Sequence, residues 1–105
     1  MNNDMNEWLR DKLLNGPSKK PKRFLNHLMN LGDDESRYEA AWIRTQPGVA
    51  EALGCARTWV SKIALDAISV GFIEGRSRHI VGGPSDGRKR VAYFITPEGR
   101  AALKT

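Results

Sequence analysis

Cysteine occurs once, as Cys55, so no internal disulfide can form and a reducing compartment suits the chain. No apolar run approaches the roughly 20 residues that span a membrane, and the polar start MNNDMNEW lacks the apolar centre of a secretory signal. A cytoplasmic protein with no membrane partner is expected. Histidine is scarce: His27 and His79 stand far apart without ligand partners, so no metal is expected and both read as surface or packing residues. Asp33, Asp34 and Glu35 lack a second group of ligands and read as a solvated loop. No Ser, Cys or carboxylate has the setting of a catalytic motif. The run GGPSDG, residues 82–87, lacks the Lys-Ser/Thr of a phosphate-binding loop and reads as a hairpin turn. Neither an enzyme nor a cofactor is expected, and Cys55 reads as structural.

What is present is one modest domain's worth of chain, 105 residues, with 17 Lys+Arg against 12 Asp+Glu. The resulting +5 and a pI near 9.7 suit an anionic partner. The chain is organised around residues 45–70, TQPGVAEALGCARTWVSKIALDAISV. Thr45 is placed to cap a helix whose opening turn holds Pro47, with Val49, Ala50 and Leu53 on one face. Gly54 can take the positive φ that ends a helix and turns the chain. A second helix follows at once, with Val60, Ile63, Ala64 and Ala67 at helical spacing and Thr58, Ser61, Lys62, Asp66 and Ser69 over much of the other side. Two helices joined by a short turn containing Gly form a helix-turn-helix, whose second helix enters the DNA major groove.

The flanks follow local rules. Residues 1–15 suggest a short helix around Trp8, Leu9, Lys12 and Leu13, ending at Asn15-Gly16-Pro17. Residues 16–21 read as a linker opening the run Lys19, Lys20, Lys22 and Arg23, either a solvated mobile segment or an arm tracking DNA phosphates. Residues 1–22 thus form an amino-terminal helix and basic arm before a domain at 23–105. Phe24, Leu25, Leu28, Met29 and Leu31 predict a helix from Arg23 to Gly32. Residues 38–44 predict a short strand with Trp42 in the core. Beyond Gly71, a strand runs from Phe72 and Ile73 to about Val81. A second spans residues 88–95, with Val91, Tyr93 and Ile95 on one face and Ala92 and Phe94 on the other. Thr96-Pro97-Glu98 starts a last helix reaching Leu103.

The runs TQPGVAEALG, ARTWVSK, GFIEGRSRHIVGG, RKRVAYF and TPEG, in this order, resemble winged helix-turn-helix transcriptional regulators, especially archaeal ones and the broader MarR-like group. The resemblance covers residues 24–103. It implies an α+β winged helix-turn-helix: a three-helix core with a two- to three-stranded β-wing and short terminal helices. The implied function is sequence-specific binding of double-stranded DNA, the helix at residues 57–70 reading base edges and the wing at residues 76–90 following the backbone or minor groove. A homodimer through the terminal helices is also implied, with half-sites about 10 base pairs apart. Ala56 departs from the Ser or Thr usual there and removes a cap and a phosphate contact.

Charge placement concentrates attraction away from the motif. Between residues 45 and 70, Glu51 and Asp66 balance Arg57 and Lys62, whereas Arg76, Arg78, Arg88, Lys89 and Arg90 flank one hairpin tip. Those five are expected on phosphate or in the minor groove. Arg57, Thr58, Ser61 and Lys62 are the candidates for bases or backbone, and Gln46 for a phosphate at a helix N-terminus. Trp59 either presses outward on a thymine methyl or sugar or packs beneath the wing. Leu65, Ile68 and Val70 lie beyond the apolar stripe, so some must meet the first helix, the amino-terminal segment or a second subunit. A rival reading uses the same fold as a protein-interaction or RNA-binding module, with Trp59, Leu65 and Ile68 as anchors. No effector ligand is legible.

Overall fold

The computed structural model describes residues 3–33 and 36–104. It is an α+β fold of helices α1 (Asn3–Asn15), α2 (Lys20–Leu31), α3 (Gln46–Leu53), α4 (Arg57–Ser69) and α5 (Pro97–Leu103), with strands β1 (Glu39–Ala41), β2 (Ile73–Val81) and β3 (Lys89–Ile95). The sheet order is β1-β2-β3; β1 runs parallel to β2, pairing Ala40 with Ile80, and β2 antiparallel to β3, pairing Ile73 with Ile95. This arrangement is compatible with a winged helix. Among the described residues, no helix is long and apolar enough to cross a membrane.

Local chemistry sets the boundaries. Thr45 caps α3, its hydroxyl accepting from Gly48 N at 3.2 Å and donating to Trp42 O at 2.7 Å. A Cβ on Gly48 would lie 1.9 Å from Trp42 O, so only glycine lets the preceding chain pack against this first turn. Gly54 closes α3 in the left-handed region, φ 66°, with its N–H on the last helical carbonyls. Thr96 caps α5 through Gly99 N at 3.0 Å.

The main core joins both central helices to one sheet face: Phe24, Leu25 and Leu28 of α2, Val49 and Ala50 of α3, Val60, Ile63, Ala64 and Ala67 of α4, and Ile73, Tyr93 and Ile95 of the sheet. Leu13 of α1 and Val70 join it. The other sheet face carries a smaller cluster of Ala40, Ile80, Ala92 and Phe94.

Three expectations change. The segment expected as one strand is a strand only over β1; residues Trp42–Arg44 coil into a 3-10 turn, because the Thr45 N–H and hydroxyl both return to Trp42 O. Trp42 is half-buried, packed at the edge of the smaller cluster on the far sheet face and against Gly83 of the hairpin turn, rather than in the main core. α2 starts at Lys20, since Pro21 is accommodated in a first helical turn, so most of the basic run is helical rather than a linker or free arm. Trp8, at 62% exposure, faces solvent on α1 with Lys12 over its ring. Met1 and Asn2, and the acids Asp34 and Glu35, lie outside the described residues. Asp33 pairs with Arg100 of α5.

One buried cation ties these layers. Arg44 donates to Leu31 O at 3.1 Å, Gly32 O at 2.9 Å and Tyr93 O at 3.3 Å, and its guanidinium sits 4.6 Å from the Phe94 ring centre. It thereby satisfies carbonyls at the negative end of α2 and holds that end against β3. Removing it strands those carbonyls without a donor. Arg44→Met is expected to cost about 3 kcal/mol in urea unfolding, and Arg44→Lys to recover only part, lacking the planar fork.

Tyr93 gives a pH dependence. Its ring meets Phe24 edge-on at 5.8 Å, and burial pushes its phenol above the ordinary value of 10.0. Below that value both states keep the proton and Tyr93 adds no pH dependence. Above it the unfolded chain ionises first, so stability falls as pH rises toward the folded-state value. Between about pH 9 and pH 11 the urea midpoint should drop further for the natural protein than for Tyr93→Phe.

Candidate nucleic-acid interface

α4 starts abruptly. Gly54, Cys55 and Ala56 separate it from α3, and Cys55, half-buried, packs on the core, its N–H on Ala50 O at 3.0 Å. Ala56 occupies the N-cap with φ −73° and ψ 146°, the backbone of a capping residue, and offers no side-chain acceptor. With Val60, Ile63, Ala64 and Ala67 inward, Thr58, Lys62, Leu65 and Ser69 form an exposed stripe on the opposite side. Arg57 is exposed at the first turn.

Gln46 is used internally. Its Nε2 donates to Arg57 O at 3.0 Å and also bonds Ser61 Oγ, pinning the start of α3 to the first turns of α4. Gln46 and Ser61 therefore set the angle between these helices, and both lie in the floor of a groove of about 290 Å³. Thr45, Pro47, Lys89, Arg90, Val91 and Tyr93 complete its lining.

Trp59 takes neither expected position. It packs at the edge of the core on the α2 side, where Lys20 Nζ lies 5.1 Å from its ring centre. The two β-strands also divide the expected basic cluster. Lys89 alternates with Arg88 and Arg90, so it shares the Val91 and Tyr93 face beside the groove, whereas Arg90 pairs in register with Arg78 on the Phe94 side. Arg90 bonds Ser85, a buried residue of the hairpin turn. Arg76 pairs with Glu74, and Arg78 Nε donates to Ser36 O at 3.3 Å; both guanidiniums lie 5.7 Å from the Phe94 ring centre. Arg76 and Arg78 thus stand on the sheet face turned away from α4. Extending the Val91/Ala92 alternation backward along the strand would have exposed this division in the sequence.

The structure brings Arg57, Thr58, Ser61, Lys62, Gln46 and Lys89 into one region, with Arg90 also lining its groove, and adds Lys20 at its other flank. Lys19, Lys22 and Arg23 line an adjoining cleft of about 480 Å³ between α1 and α2. Of the three apolar residues beyond the inward stripe, Val70 joins the core, whereas Leu65, 69% exposed, and Ile68 stay at the surface. No group of metal-ligating side chains occurs among the described residues, and His27 Nε2 donates to Ile43 O at 2.9 Å.

No family model, curated protein or solved structure matches this chain. The interface is therefore read from its own chemistry.

The uncapped start of α4 is testable. Ala56 already has the cap backbone, so Ala56→Ser should add a hydrogen bond without strain and raise stability by about 1 kcal/mol. Thermal unfolding by circular dichroism should show a melting temperature higher by about 4–8 °C.

Proposed function

We propose that this protein is a winged helix-turn-helix regulator that binds double-stranded DNA, with α4 in the major groove. The observation that carries this reading is the setting of α4. Its exposed stripe is bracketed by cations from two distant parts of the chain, Lys20 beside Trp59 and Lys89 across the groove from Ser61. Phosphates flank a major groove on both sides, so cations on both sides of a reading helix match them, while an isolated basic tail would match only one. Thr58 and Lys62 face the base edges in this arrangement, and Arg57 reaches a guanine or a phosphate. Gln46 and Ser61 orient the helix rather than contact phosphate.

Dimerisation through the terminal helices belongs to the same proposal. α1 and α5 flank Phe72 across a cleft of about 600 Å³ lined by Arg10, Leu14, Phe72, Glu98, Ala101 and Ala102. For a dimer formed there, the half-site spacing to test is one helical turn, about 10 base pairs. The rival, a protein-interaction module, draws on the exposure of Leu65, Ile68 and Val91. It leaves the flanking cations without a role.

Fluorescence anisotropy of a labelled mixed-sequence duplex tests the proposal. With about six phosphate contacts, affinity should fall roughly 1,000-fold between 50 and 200 mM salt, and single-stranded RNA of equal length should bind less well. Replacing Lys20 and Lys89 with Ala should weaken binding to every duplex and lower the salt slope by about 2, whereas Arg76→Ala, on the far sheet face, should change it little. Failure to bind any duplex at low salt would refute the proposal.

A further inference from the structure

The centre of the exposed α4 stripe is apolar. Leu65 lies one turn beyond Lys62 and is 69% exposed; Ile68, three residues on, is 41% exposed. Across on β3, Val91 is 51% exposed, and Ile68 Cδ1 and Val91 Cγ1 both border the space above Gly75. Together they make an apolar strip from the middle of α4 to the hairpin. Hydrogen-bonding side chains near it are already engaged: Ser61 with Gln46, and Ser69 Oγ with Asp66 O at 2.8 Å.

Charge decides what covers the strip. Lys62 sits on the turn before Leu65 and Lys89 beside Val91, whereas Glu74 and Glu98 border only the Ile68 end. An apolar protein surface would leave those cations unmatched. A duplex supplies phosphates to them and, on the floor of its major groove, one apolar group, the C5 methyl of thymine. Resting on the DNA-binding reading above, we infer that Leu65 reads 5-methylpyrimidines: it packs on the thymine methyl, and 5-methylcytosine, which carries the same methyl at the same place, substitutes for thymine. Trp59 has no part in this contact, because its ring is held at the α2 edge of the core. Ile68 and Val91 extend the dry surface toward the wing.

The test removes the methyl and nothing else. A labelled A·T-rich duplex of about 20 base pairs is compared with the same duplex carrying deoxyuracil at every thymine, which keeps charge and hydrogen-bonding pattern. A G·C-rich duplex is compared with and without 5-methylcytosine. Burying one methyl favours binding roughly fourfold, so the natural protein should prefer each methylated duplex by about four- to tenfold. Leu65→Ala, an exposed change whose fold is checked by circular dichroism, should bind methylated and unmethylated duplexes alike while keeping its salt slope. Equal affinity of the natural protein for thymine and uracil duplexes, with steep salt dependence, would overturn this inference and leave DNA binding intact. A thymine preference that survives Leu65→Ala would overturn the assignment to Leu65. Absence of binding to any duplex at low salt would remove both readings. Sedimentation completes the set: a dimer that Leu65→Ala dissociates would place a second copy on the strip and overturn the inference.

Discussion

The buried guanidinium of Arg44 is the constraint on which the architecture depends. A charged group 7% exposed is tolerable only where its donors are met, and here they meet the carbonyls that end α2 and one carbonyl of β3. The 3-10 turn that delivers Arg44 there is closed by the next residue, Thr45, whose N–H and hydroxyl both return to Trp42 O. Thr45 is fully buried, bridges to Ala92 of β3 and caps α3. From one cation, therefore, follow the position of the sheet against α2 and the starting point of α3. Gln46, the next residue, then carries the constraint into α4 through Arg57 O and Ser61.

The sheet has a different task on each face. Toward the helices, Ile73, Tyr93 and Ile95 complete the core, and farther along the same face Val91 and Lys89 border the groove beside α4. On the other face Phe94 is surrounded by Arg44, Arg76 and Arg78, whose guanidiniums lie within 4.6 to 5.7 Å of its ring centre. Cations over an aromatic face lose less hydration than fully buried ones and still cover apolar surface. Basic residues in β2 and β3 thus serve two ends, and counting them together overstates the charge available beside α4.

The exposed face of α4 is mixed in a way that bears on partner choice. Lys62 and Thr58 give it polar contacts at the amino-terminal half, while Leu65 and Ile68 make its second half apolar. Neither a wholly polar reading helix nor a wholly apolar docking helix fits that division. A surface that offers phosphates at its rims and methyl groups at its floor fits both halves, and this physical match underlies the functional reading.

Much of the fold was legible because it is governed by neighbours in sequence. Thr45 and Thr96 cap helices through backbone N–H groups three residues on, Gly54 supplies a positive φ, and the stripe of Val60, Ile63, Ala64 and Ala67 follows from helical periodicity. The helix ends of α3 and α5, the core face of α4, the β2–β3 hairpin and the missing cap at Ala56 all rest on such local rules. The long polar and aromatic side chains take their places from the packed fold, since their partners lie far away along the chain. Arg44 turns inward to α2, Gln46 to α4, Trp59 to Lys20, and Arg76 and Arg78 to the far sheet face. Leu65 was left outside because its helix has only one buried side, and the core that fills that side is complete without it.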